Sequence, residues 1–139
     1  MLAAEEGMDS SIVEMLLAYG ADVNYRRSIR FGHPDDFSAL NIAVCYGTWT
    51  SARLLVEAGA DMAPPSFWGG DAYDESPLME AAFWGQSELV ELMLVKGADP
   101  NYVFTKSYGT DDDWTAHHAA SRHTATATIR VLCEWGADV

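Results

Sequence analysis

Ser76-Pro77-Leu78-Met79-Glu80-Ala81-Ala82-Phe83-Trp84-Gly85, continued by Leu89-Val90-Glu91-Leu92-Met93-Leu94 and closed by Gly97-Ala98-Asp99-Pro100-Asn101, is the stretch on which the fold turns. Ser76 supplies a hydroxyl that can cap free amide N–H groups. Pro77 follows where proline's missing N–H costs nothing. Small Ala81 permits close helix approach, and Gly85 then ends a first short helix with a left-handed cap. Leu89 to Leu94 carry an apolar stripe at helical spacing, and Gly97 ends that second helix in the same way.

The same unit recurs along the chain. Gly-Ala-Asp stands at 20–22, 59–61, 97–99 and 136–138, with intervals of 39, 38 and 39 between its glycines. The hydroxyl residues Ser38, Ser76 and Thr115 each precede the next repeated glycine by 21 residues. A constant 21 beside a variable remainder separates a rigid unit from a tolerant loop. Ala43, Ala81 and Ala120 repeat the small position, and Gly47 and Gly85 the first-helix end. Second-helix stripes are Ile12, Val13, Leu16 and Leu17 in the first copy, Leu54 and Leu55 in the second, and Ile129, Val131 and Leu132 in the fourth. One helix pair cannot bury its apolar face alone, so the copies must stack.

The order Ser/Thr-x-Leu, Ala, Gly, Leu-Leu, Gly-Ala-Asp resembles the ankyrin repeat, and the resemblance covers essentially the whole chain. It implies an all-α solenoid of stacked helix–turn–helix units with hairpin-like fingers. The expected array is one domain over 1–139, with repeats near 1–24, 25–63, 64–101 and 102–139. The usual ankyrin period is about 33 residues. The surplus here lies in the fingers, 23–37, 62–75 and 100–114, which are longer than usual by roughly five residues.

The fourth copy departs most from the pattern. His117 replaces Leu40 and Leu78, and Thr124 replaces the helix-ending glycine. The second copy has Ser51 and Ala52 where larger apolar residues stand elsewhere. Looser packing is expected at both places. The first copy begins inside its first helix, and the chain stops just after its last Gly-Ala-Asp. Terminal repeats normally carry polar outer faces, and neither end shows one. A piece of a longer protein and a short protein with cryptic caps both fit. Either way the end faces are expected to associate end to end as concentration rises.

The resemblance also assigns contact positions. The residue before the conserved hydroxyl is Phe37, Glu75 or Trp114. The two before the first-helix glycine are Cys45 and Tyr46, Phe83 and Trp84, and Arg122 and His123. Five of these nine are aromatic, the residue type that buries large area at small entropy cost. The alternative use of those rings is to fill gaps between repeats or cover the fingers. One step earlier runs a column of carboxylates, Asp36, Asp74 and Asp113, which suits Arg or Lys side chains through ion pairs and cation–π contacts; Asp near a turn also bonds its own backbone. The fingers add Phe67, Trp68 and Tyr108 to the candidate contacts, beside Tyr73, Tyr102 and Phe104. The first finger is basic, with Arg26, Arg27 and Arg30 expected either to pair with the acid strip on the neighbouring finger, the favoured reading, or to contact an acidic part of the partner.

The formal net charge of −13 disfavours nucleic-acid binding and favours cationic partners. Cys45 and Cys133 lack metal or redox spacing, which fits reduced thiols inside a cell. No apolar run approaches the roughly 20 residues of a membrane span, and the N-terminus has no signal-peptide pattern. A cytoplasmic or nuclear location is expected. His117 and His118 are adjacent and on a helix point about 100° apart, so a metal shared with His123 is not expected. Asp111, Asp112 and Asp113 lack a convergent partner and read as a solvated loop or a weak calcium site. Phosphate-loop, dinucleotide and hydrolase motifs are absent. The reading is a non-enzymatic scaffold without cofactor, binding a basic or apolar-plus-basic protein or peptide. Its rivals are a structural segment of a longer repeat protein and a regulatory module for a small ligand or ion.

Overall fold

In a computed structural model, residues 2–27, 37–62, 76–105 and 113–138 are described, with their side chains except at 2–9, 27, 37, 105 and 113. They form seven helices and two short antiparallel hairpin bases. The helices are α1 (Leu2–Ala18), α2 (Ala39–Cys45), α3 (Trp49–Glu57), α4 (Pro77–Phe83), α5 (Ser87–Val95), α6 (Ala116–Arg122) and α7 (Thr126–Glu134).

Short helices of seven and nine residues are marginal alone, so their ends and packing decide them. At the start of α2, Asn41 N donates to Ser38 Oγ (3.2 Å) and Asn41 Oδ1 accepts from Ser38 N (3.0 Å), a reciprocal capping box. His118 does the same work for α6, its Nδ1 accepting from Thr115 N at 3.3 Å. Met79 N donates to Ser76 Oγ in α4 (3.3 Å), but Met79 has no acceptor to return, so that cap is one-sided.

Each helix from α1 to α7 ends in the same pair of bonds. For α5 these are Gly97 N to Leu94 O and Ala98 N to Met93 O, at 3.0 and 2.9 Å. The turn needs a left-handed residue, and Gly97 provides it at φ 98°. Thr124 occupies that position after α6 at φ 52°, the sole non-glycine with positive φ among the described residues.

Helices pack pairwise within a unit, α2 on α3, α4 on α5 and α6 on α7. Between units α2, α4 and α6 form one row, and α1, α3, α5 and α7 the other. The core lies between the rows. Leu40, Leu78, Ala81, Ala120, Val90, Met93 and Leu132 are buried there. The small alanines of the first helices sit in this seam, as their spacing requires.

The first unit differs from the expected helix pair, since α1 runs unbroken from Leu2 to Ala18. Met8 stands where Gly47 and Gly85 end the first helices of later units. Without glycine at that position, the left-handed break costs free energy.

The finger bases are antiparallel strand pairs, β1 (Arg26–Arg27) with β2 (Phe37–Ser38) and β3 (Phe104–Thr105) with β4 (Asp113–Trp114). Phe104 is buried and joins the core, with Tyr102 packed beside it. The last finger is therefore anchored by its own aromatics.

Candidate functional site

Trp84 and Phe83 close α4, and Arg122 and His123 close α6, so the stacking of α6 on α4 brings four candidates together. The Phe83 and His123 rings meet edge-on at 4.3 Å across the unit junction. Trp84 lies edge-on to Phe83 at 5.4 Å and roughly parallel to His123 at 6.3 Å. Its Nε1 donates to Glu80 Oε1 at 2.9 Å, one helical turn back, which fixes the indole orientation. Trp84 remains more than half exposed, whereas Phe83 is half-buried against the core.

Trp114 forms the second part of the patch. β4 delivers it to the start of α6, where it packs on the core and meets His118 edge-on at 5.8 Å. Arg122 sits over the Trp114 ring at 5.6 Å, a cation–π contact that occupies that face. The result is a pre-ordered surface of three aromatic rings, two imidazoles and one guanidinium across the last two units.

Other candidates fall elsewhere. Tyr46 and Cys45 are exposed at the end of α2, in the unit before this patch. Phe37 and Asp113 lie in β2 and β4. Asp36, Asp74, Glu75, Phe67, Trp68 and Tyr108 lie outside the described residues, as do Arg30, Asp111 and Asp112. Arg26 does pair across units, its Nη2 lying 3.3 Å from Asp61 Oδ2. That acid belongs to a Gly-Ala-Asp turn and not to the carboxylate column. No three His, Cys, Asp or Glu residues converge as a metal site among the described residues.

Two features escaped sequence reasoning. The His118 ring supports Trp114, and Glu80 orients Trp84. An acid four residues before a helix-terminal tryptophan is the signal for the second. An asparagine four residues past the repeated glycine is a further missed recurrence. Asn24 Oδ1 accepts from Asp61 N (2.7 Å), and its Nδ2 donates to Gly59 O (3.4 Å). Asn101 repeats both bonds at the last junction, with Asp138 N (2.8 Å) and Gly136 O (3.1 Å). Ala63 holds this place in the sequence of the second unit. At that junction the described residues line a cleft of about 380 Å³, including Asp61, Ser76, Lys96 and Tyr102. Ser76 begins the unit whose α4 carries Trp84 at its other end, so the cleft and the aromatic patch lie at opposite ends of that helix.

No helix among the described residues is long and apolar enough to cross a membrane. A family model described as ankyrin repeats, in three copies, matches residues 1–104. Serine/threonine-protein kinase 12 of Arabidopsis thaliana is 30% identical over 98 residues, 70% of this chain and 19% of that protein. Potassium channel KOR1 of Oryza sativa subsp. japonica is 34% identical over 85 residues, 61% of this chain and 9% of the channel. The chain thus spans a fifth or less of the curated relatives it matches.

Proposed function

Because the chain belongs to the ankyrin-repeat family, we propose that it binds a protein or peptide through the concave face of its last two units. Ankyrin repeats are in general protein–protein interaction modules. Their rigid stack presents side chains already ordered, so little conformational entropy is lost on association. The observation that carries the assignment is Trp84, exposed yet oriented by Glu80, Phe83 and His123. Exposed aromatics held in place are the usual centres of binding energy.

The partner's chemistry follows from charge. The chain carries a formal net charge of −13, and its long-range field draws cationic partners. Trp84 beside the Glu80 carboxylate suits an Arg or Lys side chain lying on the indole. Trp114 already carries Arg122, so it offers its edge to apolar groups. Phe83, Trp84, Trp114, Arg122 and His123 form the contact in this reading, with no catalytic step assigned to any of them. The kinase and channel names describe those proteins, of which this chain matches 19% and 9% of the length.

Affinity capture from native cell extract tests the assignment. The wild-type chain retains a basic partner. Trp84→Ala weakens retention by at least about tenfold, the scale of a binding hot spot. Arg122→Ala weakens it less, and a far-UV spectrum confirms the fold. Full retention by both variants with the fold intact would overturn the assignment.

A further inference from the structure

Counting back from the repeated glycine aligns the second helices of all four units without a gap. Eight and four residues before it stand Ile12 and Leu16, Ser51 and Leu55, Leu89 and Met93, and Thr128 and Leu132. In the last three units every one of these residues is buried, Leu55 at 5% exposure and Met93 and Leu132 at 0%. In the first unit Ile12 is 54% and Leu16 55% exposed, and Met15 and Tyr19 extend the stripe at helical spacing. These positions need a preceding unit to cover them. Seven and three residues before the glycine the pattern reverses. Ala52, Val56, Val90 and Leu94 are buried and Val13 and Leu17 half-buried, while Ile129 is half-buried and Cys133 exposed in the last unit. Those positions need a following unit.

Two side columns say which unit fits. Six residues before the glycine stand Glu14, Arg53, Glu91 and Arg130, all exposed and alternating in sign along the stack. The residue that continues this series above Arg130 is an acid, and Glu14 is that acid. One residue before the glycine the series is Tyr19, Ala58, Lys96 and Trp135, with exposed aromatics at the two end units alone. Both columns match the last unit to the first.

We propose that the first unit of one copy docks on the last unit of a second copy, head to tail. Ile12 and Leu16 cover Ile129 and Cys133 in the way that α5 packs on α3 within the array, and Glu14 lies beside Arg130. Tyr19 meets Trp135 at the rim. The contact is heterologous, so it leaves a free end on each side and propagates. α3 and α5 already pack across a junction whose sequence lacks the linking asparagine, so that bond is not a prerequisite. Like net charge on the two copies opposes approach, and added salt tightens the association by screening it. The inference stands independently of the concave-face assignment, since it uses the opposite row of helices.

Sedimentation velocity on this chain, from micromolar to millimolar concentration, reads the outcome. The weight-average mass rises with concentration. Leu16→Glu and Cys133→Glu alter exposed residues, so each variant folds, as circular dichroism checks, and each alone remains monomeric. Mixed, they form a one-to-one dimer and stop, because one retains a free last unit and the other a free first unit. Glu14→Arg weakens association by about threefold, the scale of an exposed ion pair, and adding Arg130→Glu to the same chain restores it. A strict monomer at all concentrations overturns the proposal. So does association of the wild type in which the mixed variants fail to pair, since that marks a symmetric contact.

Discussion

Thr124 shows how much one side chain decides. Its φ of 52° puts a β-branched residue where the other helix ends use glycine, at a cost of roughly 1–2 kcal/mol. Thr124→Gly is expected to raise stability by about 1 kcal/mol, read as a higher urea midpoint. Gly85→Ala should do the opposite, since its φ is 69° and an added Cβ would lie 3.4 Å from Ala125 Cβ. Three buried polar atoms, Ser51 Oγ, His117 Nδ1 and Thr128 Oγ1, have no hydrogen-bond partner among the described residues. Desolvating such a group costs about 1–3 kcal/mol. Thr128→Val keeps the shape and removes the hydroxyl, so a gain of about 1 kcal/mol is expected in the same measurement. His117→Leu restores the residue that Leu40 and Leu78 represent in earlier units, and a gain of similar size is expected.

At the scale of the element, each helix pair is held by its caps and by the turns that clasp it to its neighbour. Asn101 reaches the backbone of the last turn at two points. Asn101→Ala is expected to cost about 1–2 kcal/mol and to speed amide exchange in α7 more than in α3 or α5. The helix pairs themselves were legible beforehand: the hydroxyl starts, the alanine seam, the apolar stripes and the glycine ends all recur in register, and the structure uses each one. Part of the site was legible too. Phe83, Trp84 and His123 were expected at contact positions, and they do meet. That Arg122 covers Trp114, and that Glu80 turns the Trp84 indole, depends on side-chain rotamers, which spacing alone does not specify. The unbroken α1 was missed because later units supplied the template, while Met8 lacks the glycine that breaks their first helices. Arg26 reaches Asp61 because the strand pair at the finger base aims it at the neighbouring turn.

For the whole molecule, stability is a sum of units and junctions, with no single centre. Met93 is fully buried on the row that joins α3, α5 and α7. Met93→Ala is expected to lose about 2–5 kcal/mol and to broaden the unfolding transition as the two halves uncouple, a change that calorimetry resolves. The excess of carboxylates acts on every unit at once. With a formal net charge of −13, melting temperature should rise with sodium chloride as self-repulsion is screened, although the exposed Arg26–Asp61 and Arg53–Glu57 pairs weaken slightly. The asparagine clasps belong to the first and last junctions, and alanine takes their place in the middle. Pulled or bent, the array is expected to yield first where that linkage is missing from the sequence, and a large target gripped at both ends would then set its curvature.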